Sequence, residues 1–503
     1  MASNVPGPST GVEPPADNNA ANDAAVRAGA GAPAGTAVNE GVAQSDFARD
    51  TGTGSLTEFF QDYVRRVRGG EVGALPALAG LIVLVVIFSQ ASDVFLSKGN
   101  LANLPAQAAG FGFIGMGLVF VLLLGEIDLS AGTASGVCAG TMAIVLNNDG
   151  NMRHSVGTPT WLVVLLLMVV AAGVAAWSRL WPAVVIIALG VVVLVAQLGS
   201  SAILAVYLAV SVGVAIGVLT GLLVSQVGIP SFVVTLALFL GWQGVLLQFI
   251  QNGAAIPTRN FGFINGIANK NVPPVLGWVL FLLAIGSYAA LTITRSVRRR
   301  AAGLSAEPLS VVLARAGALL VIGIAAVLFL NAERSPNPKV ISIKGMPWVV
   351  PAILVIMVFW TFVLSRTSFG RHIYAVGGNA EAARRAGIDV RRMRTAAFAI
   401  SSGMAAIGGV VIASKTGGVP ADAGGGNTLL YSVGAAVIGG TSLFGGRGRV
   451  RDAVIGALVI GMIPNGLGLL NLNSSYNFMI TGVVLLMAAT VDAVSRKKAS
   501  ATG

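Results

Sequence analysis

The chain has 503 residues, of which 55% are hydrophobic and only 10% charged, against about a quarter charged in an ordinary soluble domain. These proportions exclude a large soluble core and predict an all-α, polytopic membrane protein. The net charge of +12 does not argue for nucleic acid, because the arginines gather at the ends of apolar runs, where they set orientation and meet anionic headgroups.

Taken in order, residues 1 to about 55 are rich in Ala, Gly, Pro, Asn, Asp and Ser without apolar periodicity, the signature of a disordered tail. They lack the basic start and apolar core of a signal peptide. Residues 56–70 (LTEFFQDYVRRVRGG) suit a short amphipathic helix, and Arg65, Arg66 and Arg68 place the N-terminus in the cytoplasm. Residues 1–70 are therefore expected to form a cytoplasmic tail, 71–496 a transmembrane domain and 497–503 a second cytoplasmic tail.

A helix needs about 20 residues to cross the hydrocarbon core. With that ruler fourteen spans are expected, at 74–91, 101–124, 131–147, 161–177, 183–199, 201–224, 231–250, 275–294, 311–330, 347–365, 395–413, 428–444, 453–470 and 476–494. This count puts both termini in the cytoplasm. It also places Arg179, the run Arg295/Arg298/Arg299/Arg300, the 366–394 cluster, Arg447/Arg449/Arg451 and Arg496/Lys497/Lys498 on that side. The outer loop 331–346 runs against the rule, with Arg334, Lys339 and Lys344 against Glu333. The pair 161–199, joined by SRLWP, is nearly devoid of polar residues and reads as a peripheral, lipid-facing hairpin. The 65 glycines, mostly inside apolar runs, predict closely packed helices.

Residues 366–394 (RTSFGRHIYAVGGNAEAARRAGIDVRRMR) form the one long charged segment between spans. A short helix is expected over 377–388. Gly377-Gly378 break the preceding segment, and Asn379 caps the N-terminus. Glu381 sits where the helix dipole favours a negative charge. Ala382, Ala383 and Ala386 favour the helix and Gly387 suits its end. Such a helix is either a solvated surface element or one that docks in a cleft of another protein.

Glu381-Ala382-Ala383 followed by Gly387 resembles the EAA-x-x-x-G loop of binding-protein-dependent ABC permeases, and its context resembles xylose/ribose-type sugar permeases, the xylose-type branch most closely. Three further stretches are similar to that family in the same order: GEIDLSAGTASG (125–136), GIPSFVVTLALFLGWQGV (228–245) and AAVIGGTSLFGGRG (435–448). The resemblance covers roughly residues 74–494, apart from the 161–199 hairpin, which the family usually lacks. It implies a homodimer of permeases, a cytoplasmic ABC ATPase below, an extracytoplasmic sugar-binding protein above, and import of a sugar, a pentose such as xylose, in the cell membrane. Asn379, Glu381, Ala382, Ala383, Arg384, Arg385 and Gly387 would then form the ATPase-coupling element.

The residues themselves suggest a route. Glu126 and Asp128 lie beside membrane-length apolar runs, where acids mark a pathway or a paired charge. Gly125 and Gly132 allow a helix break, and Ser130 can cap the helix that follows. GGTSLFGG offers Thr441 and Ser442 between glycines. The alternative is that both stretches are ordinary inner turns. A neutral sugar needs amides, hydroxyls and aromatic faces, which makes Asn103, Gln107, Trp242, Gln243 and Asn465 candidates. Each serves equally as hydrogen-bonding glue between helices.

The single cysteine, Cys138, allows no disulfide framework, and His154 and His372 read as loop residues without chemistry. No metal cluster and no catalytic constellation is expected. Residues 409–416 nearly match a phosphate-binding loop but lack its second glycine and end a membrane helix. No cofactor is thus expected on this chain, and ATP with its Mg²⁺ would belong to the partner ATPase. Three rival readings remain: a secondary sugar symporter coupling through Glu126 and Asp128, a membrane enzyme acting on a lipid-linked sugar, and a channel.

Overall fold

The computed structural model describes residues 75–250, 253–303, 309–335, 337–340 and 342–501. The expected tail 1–70, its amphipathic helix with Arg65, Arg66 and Arg68, and the last two residues lie outside these. Each of the fourteen expected spans coincides with an apolar helix. They are α1 (Leu75–Ala91), α2 (Lys98–Leu123), α3 (Ala131–Asn147), α4 (Met152–Trp177), α5 (Trp181–Val195), α6 (Ala202–Leu222) and α7 (Ser231–Phe249). After a short α8 (Gly262–Asn269) come α9 (Pro274–Ala301), α10 (Leu309–Asn331) and α11 (Val349–Arg366). Two helices, α12 (Ser368–Gly378) and α13 (Ala380–Arg385), precede α14 (Val390–Thr416), α15 (Gly426–Ile438), α16 (Val450–Leu469) and α17 (Ser474–Ala501). Among the described residues nine helices are long and apolar enough to cross a membrane. The remaining apolar segments, in α1, α3, α5, α15 and α17, are shorter. Among the described residues the fold is all-α apart from a two-residue pairing of β1 (Ile256–Pro257) with β2 (Gly418–Val419) and a single bridge between Asn271 and Pro347.

Helix α14 is the central post, packed on α6, α2 and α3. Glycine explains how close these helices come. Gly213, Gly217 and Gly221, one per turn of α6, sit against the backbone of Ser402, Phe398 and Thr395, leaving no room for a β-carbon. Gly409 of α14 does the same against Ser135 of α3. In lipid the hydrophobic effect does not drive helices together, so such backbone approach carries the packing. Helices α9, α10, α11 and most of α4 expose their apolar side chains outward. Helix α4 is kinked at Gly157 (φ 77°, ψ 158°) ahead of Pro159, so its straight portion begins near residue 160. The α4–α5 pair leans on α6, where Tyr207 and Ser211 donate to the carbonyl of Ile186 at 3.0 and 2.9 Å.

Two expectations need correction. His154 and His372 lie in helices α4 and α12, not in loops. Gly377 and Gly378 do not break the preceding segment; they complete α12, and the chain turns at Asn379 (φ −158°, ψ 104°). Arg334 and Glu333, in the outer loop that ran against the orientation rule, have local partners. Arg334 donates to the carbonyls of Leu330 and Gly345, both at 2.6 Å, closing the end of α10. Glu333 accepts from the Ser342 hydroxyl at 2.6 Å and from the backbone N–H groups of Arg334, Ser335 and Ile343. These bonds, the Ser342 hydroxyl foremost, hold its carboxyl down at about 2.

Candidate functional site

The two ends of the bundle carry different chemistry. At the end with the arginine clusters, here the inner end, helix α2 stops at Leu123 and the chain turns at Gly125 (φ 73°). Asp128 is 1% exposed, and a buried carboxylate needs donors. It has three: the N–H and hydroxyl of Ser130 at 3.1 and 2.7 Å, and the hydroxyl of Ser401 on α14 at 2.8 Å. Ser130 therefore does not cap α3 as expected. Its hydroxyl is spent on Asp128, and its side chain makes no capping bond. Glu126 is held by Arg394, Oε1 to Nε 2.9 Å.

The four stretches singled out in the sequence meet at this inner end. Ser231 accepts from the N–H of Ile127 at 3.2 Å and Thr235 donates to the Ile127 carbonyl at 3.2 Å, joining the start of α7 to residues 125–130. Gly446 donates to the carbonyl of Leu123 at 2.8 Å, joining the 435–448 stretch to the end of α2. Helix α12 lies over both. Tyr374 donates to the carbonyl of Gly448 at 2.7 Å, and Gly377, one turn on, sits against the Leu123 carbonyl and the Gly446 N–H with no space for a β-carbon. Gly445 and Gly446 take positive φ (88° and 75°), a conformation glycine adopts without steric cost. Thr441 and Ser442 are buried beside this crossing.

Helix α13 follows directly. Asn379 Oδ1 accepts from the N–H groups of Glu381 and Ala382 at 3.0 and 2.9 Å. Gly387 (φ 83°) ends the helix, with Ile388 N–H bonded back to Ala383 at 3.0 Å. Ala383 is buried, while Ala382 is exposed. Glu381, Arg384 and Arg385 are also exposed, and Glu381 pairs with the two arginines at 2.9 and 3.3 Å.

The amides lie at the other, outer end. Asn465 of α16 and Asn100 of α2 exchange amide hydrogen bonds at 2.7 and 3.0 Å, and Asn465 also donates to Gln107 at 3.2 Å. Asn103 accepts from Lys415 of α14. Asn103, Gln107 and Asn465 are thus brought together, and the bonds they make are glue between helices. Trp242 is buried and Gln243 donates to the Ala421 carbonyl at 2.7 Å, so both stay apart on α7. The candidate route residues fall into two clusters, not one site.

Sequence reading missed Ser401, Arg394, Tyr374, Asn100 and Lys415, since each acts through a partner far along the chain. It also missed residues 420–425. This irregular segment runs beside α3, its Ala423 and Gly424 carbonyls pressed on Gly136 and Gly132. One side of this segment packs on α3, where Gly424 is buried, while Asp422 is exposed. Helix α15 then begins at Gly426 and stops at Ile438, before the expected end at 444, so it has 13 residues, about 20 Å, where a span of 17 was expected. Among the described residues no three His, Cys, Asp or Glu side chains gather as for a metal.

Residues 182–489 match the family described as "Branched-chain amino acid transport system / permease component". The chain is 30% identical over 422 residues to the xylose transport system permease protein XylH of Escherichia coli K12, covering 84% of this chain and 92% of the relative. It is 28% identical to the ribose import permease protein RbsC of Bacillus subtilis, covering 88% and 99%. The XylH of Haemophilus influenzae is 28% identical, covering 84% and 96%. No solved structure matches. With the family match spanning more than half of this chain and the relatives covered over nearly all of their length, this chain belongs to the transport-system permease family that includes the xylose/ribose-type ABC permeases, multi-pass proteins of the cell membrane.

Proposed function

We propose that the protein is the membrane-spanning subunit of an ATP-driven, binding-protein-dependent sugar importer, its solute a pentose such as xylose. Two copies would form the membrane unit, with an ABC ATPase at the inner end and a sugar-binding protein at the outer end. The observation that carries this reading is the continuity of α12 and α13. Helix α13 presents Glu381, Arg384 and Arg385 outward, while α12, one residue away, is seated on the ends of both glycine-rich inner stretches. Movement imposed on α13 by an ATPase would reach the inner junction through packed backbone. Asp128, Ser130, Thr441 and Ser442 border one end of the proposed route, and Asn103, Gln107 and Lys415 the other. Alternating access further requires that the solute bind the two states differently.

The symporter reading is weaker. Glu126 is occupied by Arg394 and Asp128 by three donors, so neither acid stands free to exchange a coupling ion. The decisive experiment is a mild-detergent pull-down of the tagged chain from native membranes, as wild type and as Gly387→Asp. Co-purification of an ATPase with the wild type and its loss with the variant is expected. Recovery with both moves the docking site elsewhere, and recovery with neither favours the symporter. Uptake of labelled xylose, ribose and leucine by the assembled complex then separates sugar from amino-acid transport.

A further inference from the structure

We infer that the inner end of α9 carries a binding site for an anionic phospholipid. Helix α9 has 28 residues, about 42 Å at 1.5 Å per residue. The hydrocarbon core is about 30 Å thick, so roughly the last eight residues stand clear of it. Leu291, Thr294, Arg295, Arg298 and Arg299 fall at helical spacing on one face. They line a shallow, open recess of about 310 Å³ on the helix surface, which leaves the three guanidinium groups accessible to a headgroup.

Three features characterise this face. First, none of the three arginines has an acidic or carbonyl partner among the described residues, a state shared by Arg366 and Arg371 but not by four others at the same end. Arg394 meets Glu126, Arg392 the carbonyl of Arg179, and Arg384 and Arg385 meet Glu381. Second, all three are exposed, while Ser296 on the opposite side of the helix is buried. The guanidinium groups thus point away from the protein. Third, the α9–α10 pair packs chiefly on itself, Phe281 filling the space over Gly323, and exposes nearly all its remaining apolar surface. Such an outward apolar surface suits contact with acyl chains.

The occupant follows from the order of groups along the face. Leu291 is 65% exposed and lies about 10 to 12 Å, seven to eight residues, deeper than Arg298 and Arg299. An acyl chain covers Leu291 while its phosphate meets the arginines, whose planar forks match phosphate oxygens bidentately. An acidic segment of a soluble partner would leave Leu291 uncovered. A zwitterionic lipid offers the phosphate but brings a cation with it. The cytoplasmic leaflet supplies anionic lipid, and each arginine near it strengthens attraction. This site does not depend on which solute is carried.

The test uses the full-length protein in mild detergent with equal amounts of phosphatidylglycerol and phosphatidylcholine, read by native mass spectrometry. The wild type is expected to retain phosphatidylglycerol selectively. In R295Q/R298Q/R299Q the affinity of one retained molecule should fall roughly a hundredfold, about fivefold per arginine. Equal retention of the two lipids by the wild type overturns the site, whatever the variant does. So does unchanged retention by the triple variant with a wild-type circular dichroism spectrum. Should the triple variant misfold, each single substitution is expected to weaken retention about fivefold, and none doing so is equally fatal. Millimolar inorganic phosphate should not displace the lipid, since it cannot cover Leu291; displacement would assign the face to free phosphate. A photo-crosslinker at position 294 that captures an acidic protein segment in native membranes, and no lipid, would assign it to a partner.

Discussion

The hydroxyl of Ser401 donates to Oδ2 of Asp128 at 2.8 Å, tying the middle of α14 to the turn between α2 and α3. Both residues are almost completely buried. Ser401→Ala should lower stability by about 1–3 kcal/mol, the cost of removing one donor from a buried acid. Asp128→Ala should cost more, because it strands the Ser130 and Ser401 hydroxyls together. A thermal melt of the purified protein measures both. Uptake that survives Asp128→Ala and Thr441→Ala at wild-type rates would remove the inner cluster from the transport route.

Gly377 and Gly378 are neighbours with opposite expectations. A β-carbon at 377 collides with the Leu123 carbonyl, whereas one at 378 meets nothing within 4 Å. Gly377→Ala should cost about 1–3 kcal/mol or more and abolish uptake. Gly378→Ala should be neutral or gain up to about 1 kcal/mol from helix propensity. Equal behaviour of the two would show that the α12 crossing is not tight in the working protein.

Glu126 and Arg394 form a partly exposed pair (13% and 33%). Solvent screening limits its contribution to about 1 kcal/mol. Glu126→Gln and Arg394→Gln should each produce a small drop in melting temperature. In the double variant the drop should be less than their sum, because the two act through one contact. Strict additivity would mean the pair carries no coupling energy.

Asn379 is the cap of α13. Asn379→Ala should destabilise that helix by about 1 kcal/mol, and Asn379→Asp should restore the cap. Hydrogen exchange of the Glu381 and Ala382 amides reads this directly. On the proposed function, the same pair of variants should lower and then restore co-purification of the ATPase.

Asn465 is expected to act on stability, not on recognition. Asn465→Leu leaves Asn100 without its reciprocal partner and Gln107 without a donor, at about 1–3 kcal/mol. The melting temperature should fall while the KM for the transported sugar holds. A rise in KM with unchanged stability would instead place Asn465 in the solute route.

The sequence by itself determined the class of the protein, the position of fourteen apolar helices and the caps of α13. These depend on local quantities: hydropathy over about 20 residues, charge next to it, and Asn379 and Gly387 at the ends of one short helix. It also marked four stretches as special, without saying that they touch. Only the tertiary structure decided that Ile127 is gripped by Ser231 and Thr235, that Gly446 and Gly377 converge on the Leu123 carbonyl, and that Ser130 serves Asp128 instead of capping α3. It separated the amides from the acids, one set at each end of the bundle, and ended α15 at Ile438, where the following turn carries Gly446 to the end of α2. The reason is physical. In lipid, every buried donor and acceptor must find a partner inside the protein, and the nearest one in space is set by how the helices pack, not by distance along the chain.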